Sequence, residues 1–108
     1  SQCRRASGAP FLTWVAFPAQ SFAFTQGEPG IYRASDFAER TFCPDCGSQL
    51  TFRHVESTHQ IDVTAGSLDN AEVVHPVHHI WNSAKLGWLR MDDGLPRYPG
   101  ERDGSELR

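Results

Sequence analysis

The sequence is poor in sulfur, carries no surplus of positive charge and has no long apolar run. Its cysteines number three. An odd count, with no charged-then-apolar leader in front, argues against a disulfide framework of the kind found in small secreted domains. A reducing, cytoplasmic setting is expected, where paired thiols bind metal or perform redox chemistry. The formal net charge is −3, from 13 acidic and 10 basic residues. With no stripe of Lys and Arg, a nucleic-acid partner is not expected. No stretch approaches the ~20 apolar residues that cross a bilayer, so no membrane partner is expected. No window keeps a 3.6-residue apolar period over ten residues, which excludes a helical bundle. There is no internal repeat. The chain opens on Ser1-Gln2-Cys3 without an initiator Met, and a processed or truncated front is expected from that.

What remains is apolar mass in short pieces. The 108 residues make one small domain, 39% hydrophobic, with seven Phe, three Trp and two Tyr. Residues 4–10 are small, basic and broken by Gly and Pro, and are expected to hold one short turn at most. Phe11–Phe17 reads as a strand apolar on both faces and closed by Pro18. Ser21–Thr25 alternates and runs into turn residues at 26–30. Ile31-Tyr32-Arg33 and Glu39–Cys43 are further strand candidates. Gln49–Val55 alternates with Leu50 and Phe52 on one face and Thr51 and Arg53 on the other. Gln60–Ala65 repeats the pattern with Ile61, Val63 and Ala65 inward, and residues 56–59 fit a hairpin loop between the two. Residues 67–72 suggest a single helical turn. Past Pro76 the chain is irregular but aromatic, and Ile80, Trp81, Leu86, Trp88, Leu89 and Tyr98 are expected to cover a sheet. The class is all-β.

The sharpest chemical feature is Cys43-Pro44-Asp45-Cys46-Gly47. Two intervening residues let both sulfurs face one tetrahedral ion. Pro44 pre-sets its own φ, and Gly47 permits the left-handed conformation after the second thiol. Strands on both sides make this a knuckle at a hairpin tip, and structural zinc takes four ligands. A Cys-Pro-x-Cys pair also serves thiol–disulfide exchange. Such a redox pair normally opens a helix, whereas a strand follows Cys46. Two inert buried cysteines are the third reading. Cys3 is the other thiol, and His54, His59, His75, His78 and His79 are the other candidate ligands. His54 and His59 border a loop and are expected to face solvent. His78 and His79 are adjacent, so on extended chain at most one aims at a given centre.

Five blocks follow one another: Cys3-Arg4-Arg5-Ala6-Ser7-Gly8-Ala9-Pro10-Phe11, Cys43–Leu50, Ile61–Asp69, His79-Ile80-Trp81 and Asp92–Tyr98. In that order they resemble the glutathione-dependent formaldehyde-activating enzyme family, also called the GFA or CENP-V/GFA domain. The resemblance spans residues 1–99 and leaves 100–108 as a polar tail. It implies an Mss4-like fold of small coiled antiparallel β-sheets. It also implies two zinc sites, one structural and including Cys43 and Cys46, the other catalytic with Cys3 as the last cysteine of a Cys-His-Cys-x-x-Cys run. The earlier cysteines of both groups are not in the chain, which departs from the family pattern at its front.

The implied activity is that of a carbon–sulfur lyase that forms or cleaves S-hydroxymethylglutathione or a related thiol–aldehyde adduct. Arg4 and Arg5, next to Cys3, are candidates for the glutathione carboxylates. His79 is a candidate proton donor and Trp81 a candidate pocket wall. Asp92-Asp93-Gly94 reads as a turn. Competing readings are a non-catalytic zinc-binding interaction module and a thiol oxidoreductase.

Overall fold

Period-two alternation puts Ile61, Val63 and Ala65 on one side of the chain, and in the computed structural model all three are buried. The structure describes residues 2–56 and 59–102. Two compact units are formed, one by residues 13–74 and the other by residues 1–12 together with 75–108.

The first unit is a five-stranded antiparallel sheet. Its strands are β1 (Trp14–Pro18), β2 (Gly30–Arg33), β3 (Ala38–Phe42), β4 (Gln49–His54) and β5 (Gln60–Thr64), in spatial order β1-β5-β4-β3-β2. The all-β reading holds. β1 starts three residues later than the Phe11 start expected, and it lies at an edge. That position tolerates Pro18, which has no N–H to give to a ladder. Its last three residues are exposed, so β1 is not buried on both faces. No strand forms over residues 21–25. The N–H of Phe22 turns back to the carbonyl of Ala19, and Phe22 and Phe24 pack edge to face with centroids 5.0 Å apart. Alternation there finds no neighbouring strand to pair with.

β3, β4 and β5 carry the core. Thr51 and Phe52 are neighbours on opposite faces of β4, yet they are 2% and 1% exposed. Both faces of this strand are therefore covered, and the expectation that Thr51 points outward is corrected. Opposite Phe52 stands Arg40, whose guanidinium carbon lies 5.0 Å from the ring centroid. On the other face Glu39 and Arg53 pair at 3.5 Å. Trp14, Phe37 and His54 extend the aromatic cluster around Phe52. His54 stacks on Phe37 with centroids 5.7 Å apart and is half-buried, not solvent-facing as expected. The β3–β4 ladder slips between Thr41 and Phe42, which pairs with Gln49, so Leu50 is extra on β4. The β4–β5 pair is antiparallel as the hairpin reading requires, and residues 57 and 58 of its loop lie outside the described residues. The helical turn expected at 67–72 is replaced by two 3-10 turns, Ala65–Ser67 and Ala71–Val73.

Among its described residues, the second unit has little regular structure. α1 (Gln2–Ser7) is a helix of six residues, slightly more than the single turn expected over 4–10. It stops at Gly8, whose φ of +74° suits the left-handed stop, and the Gly8 N–H bonds the Arg4 carbonyl at 2.8 Å. The rest is a parallel bridge between His79 and Arg97, continued by hydrogen bonds between residues 79–83 and 96–100. Ile80, Trp81, Leu86, Trp88, Leu89 and Tyr98 belong to this unit. Trp88 is 70% exposed.

Candidate functional site

The cysteine turn joins β3 to β4. The Gly47 N–H bonds the Cys43 carbonyl at 2.7 Å, the Cys43 N–H bonds the Ser48 carbonyl at 2.9 Å, and Gly47 has a φ of +79°. Sequence chemistry and local geometry agree here because every contact spans five residues or fewer. Cys43 is half-buried and Cys46 exposed, and neither is in a disulfide. Ser48 Oγ lies 3.1 Å from Cys46 Sγ. The Ser48 hydroxyl, the Ser48 backbone and the Cys43 thiol together hold Cys46 below the usual thiol range. A thiol poised toward thiolate, beside a second thiol, suits a soft divalent cation.

In the other unit, a cleft of about 280 Å³ is lined by Arg4, Arg5, Gly8, Ala9, Pro10, Leu86 and Trp88. That is near the lower end of small-molecule sites, which run from about 300 Å³. Helix α1 presents the two arginines on successive positions, directly after Cys3. Arg4 Nε is buried and has no hydrogen-bond partner. No described acid pairs with either guanidinium. The cleft therefore offers uncompensated positive charge beside an indole and an aliphatic wall. Trp88 and Leu86 walls this cleft, and Trp81 is not among its lining residues. Nothing in the sequence separated Trp88 from Trp81, because the choice depends on contacts about 80 residues away along the chain.

Trp81 has a different role in the same unit. Its indole Nε1–H bonds Glu101 Oε1 at 3.2 Å, and its backbone N–H bonds the Gly100 carbonyl at 2.9 Å. Its φ of +53° is the one positive value at a non-glycine among the described residues. A bulky side chain in that region is strained, and the 79–83/96–100 ladder holds it there.

His79 and His78 point to separate partners, as their adjacency requires. His78 packs edge to face on Tyr98. His79 Nε2 lies 2.7 Å from Asp93 Oδ2. Asp93 does sit in a turn, with Gly94 at a φ of +71°. Its Oδ1 accepts the Leu95 N–H at 3.1 Å and lies 3.9 Å from Arg97 Nη2, and Arg97 also bonds the Met91 carbonyl. The Leu95 amide, the His79 ring and the Arg97 charge keep the Asp93 carboxyl below the ordinary carboxylate range.

Among the described residues, no group of three or more His, Cys, Asp or Glu is placed to hold one metal ion. The donors present fit a two-thiolate contribution at the knuckle and a single thiol at Cys3. Among the described residues, no helix is long and apolar enough to cross a membrane. A model of the family described as glutathione-dependent formaldehyde-activating enzyme matches residues 1–84 of this chain. None of the curated proteins matches it.

Proposed function

Because the chain belongs to the glutathione-dependent formaldehyde-activating enzyme family, we propose that it is a zinc-dependent carbon–sulfur lyase. Its substrate would be a thiol–aldehyde adduct of the S-hydroxymethylglutathione type. Cys43 and Cys46 would contribute two thiolates to a structural zinc, and Cys3 one thiolate to a catalytic zinc. Zinc held by thiolates with one position open lowers the pKa of a bound thiol, and so supplies the sulfur nucleophile.

The chain's own residues bind and orient. Arg4 and Arg5 pair with the substrate carboxylates, for which glutathione has two. Trp88 and Leu86 keep water from one side of the bound molecule. His79 hands a proton to the carbonyl oxygen as the carbon–sulfur bond forms, and takes it back as that bond breaks. The antiparallel sheet with its cysteine turn supports the Mss4-like fold that belongs to the same proposal.

The observation that carries the assignment is the pair of uncompensated guanidiniums in one cleft, directly after Cys3. The test is turnover of S-hydroxymethylglutathione by purified protein whose zinc content per chain has been measured. Turnover with zinc bound is the expected result. Bound zinc without turnover of any thiol–aldehyde adduct would favour an interaction module, and turnover undiminished after zinc removal would overturn the metal dependence.

A further inference from the structure

We infer that Asp93 is a positioning residue that fixes the ring of His79 so that its Nδ1 atom is the one that exchanges a proton with substrate. This rests on the lyase proposal for its reaction, and on geometry of its own for the tautomer. Asp93 and Arg97 lie beyond the segment matched by the family model.

The His79 backbone is pinned first. Its N–H bonds the Pro96 carbonyl at 2.7 Å and its carbonyl accepts the Tyr98 N–H at 2.8 Å. The side chain is then held by one nitrogen, Nε2, at 2.7 Å from Asp93 Oδ2. Asp93 in turn is held by the Leu95 amide and faced by Arg97, whose guanidinium is tied to the Met91 carbonyl. An ionised carboxylate only accepts hydrogen bonds. The Leu95 amide, the His79 ring and Arg97 all favour that ionised form. Nε2 must then carry the hydrogen, which leaves Nδ1 as the site that gains and loses the second proton. The charged groups at this ring, among the described residues, are Asp93 and, across the same carboxylate, Arg97.

The step balances. In the forming direction a thiolate attacks the aldehyde carbon and the sulfur–carbon bond forms. The carbonyl π pair moves to oxygen, and that oxygen takes the proton from Nδ1 of the doubly protonated ring. In the cleaving direction Nδ1 removes the hydroxyl proton as the aldehyde and the thiolate separate. A ring free to rotate or to switch tautomers would present the wrong nitrogen for much of the time, and Asp93 removes that freedom.

The test uses the full chain, with Asp93→Asn, Asp93→Ala and Asp93→Glu compared with the parent. Nitrogen-15 shifts of the His79 ring report the tautomer without reference to activity. The parent is expected to show the Nε2–H form, and Asp93→Ala to lose that preference. With S-hydroxymethylglutathione as probe, kcat is expected to fall at least about tenfold in Asp93→Ala, a loss on the scale of general acid–base catalysis. KM should change much less. The pH profile of kcat should shift in Asp93→Asn, which keeps the shape and removes the charge, and Asp93→Glu should restore part of the rate. An Nδ1–H tautomer in the parent would overturn the proposal, as would an unchanged kcat and pH profile in Asp93→Ala. If the parent turns over no adduct, the lyase proposal fails by itself, and the nitrogen shifts still decide whether Asp93 fixes the ring.

Discussion

Thr41 and Thr51 face each other across β3 and β4 with their hydroxyl oxygens 2.5 Å apart, and both side chains are buried. Each hydroxyl is the other's partner in a place where water does not reach. Replacing one by Val leaves a buried hydroxyl unpaired, which costs about 1–3 kcal/mol. Replacing both removes the pair and the orphan together. We expect Thr41→Val and Thr51→Val each to lower unfolding stability by that amount in a denaturant titration. The double variant should lose clearly less than the two losses added. Additive losses would mean the hydroxyls act separately.

That pair also marks what the sequence leaves unsaid. The inward set Ile61, Val63, Ala65 is legible because β5 shows one apolar face with period two, and all three are buried. Thr51 is polar in an alternating strand and reads as outward. It is buried in the central strand of the sheet, where the Thr41 hydroxyl of the neighbouring strand partners its own. The site divides the same way. The cysteine turn and the Arg4-Arg5 step are local and legible. The wall formed by Leu86 and Trp88, and the 14-residue span from His79 to Asp93, are set by chain folding and are not.

Gly30 pairs with Phe42 across β2 and β3, and the Phe42 ring lies over the glycine. A Cβ at position 30 would stand 2.5 Å and 2.9 Å from the ring carbons Cε2 and Cε1. The ring must move before any side chain fits. Gly30→Ala is therefore expected to destabilise the sheet by about 1–3 kcal/mol, as overpacking does. Combining it with Phe42→Leu should recover part of the loss, because the obstacle is then smaller. A Gly30→Ala variant that melts with the parent would show that the ring swings aside freely.

The knuckle makes a prediction about metal. If Cys43 and Cys46 hold zinc, the ion's binding energy is folding energy, an apparent value of about 10–16 kcal/mol for structural zinc in small peptides. Small domains have only about 5–15 kcal/mol in total. Cys43→Ser and Cys46→Ser should each unfold the sheet unit, and a strong chelator should do the same to the parent. Circular dichroism with and without chelator reads this directly. Parent and variants that melt at one temperature would remove zinc from the account of stability.

The arginines of α1 separate binding from chemistry. Arg4 and Arg5 line the cleft, and neither is paired with a described acid. Their charge is thus available to a ligand, and a carboxylate held by a guanidinium gains a charge-assisted hydrogen bond of about 1.5–3 kcal/mol. Arg4→Ala is expected to raise KM for S-hydroxymethylglutathione by about tenfold to a hundredfold on that scale, with kcat nearly unchanged. Arg5, the more exposed of the two, should show a smaller rise. A hydroxymethyl adduct of a thiol without carboxylates should be turned over equally by parent and variants. Discrimination that survives in the Arg4→Ala, Arg5→Ala double variant would place carboxylate recognition somewhere other than this cleft.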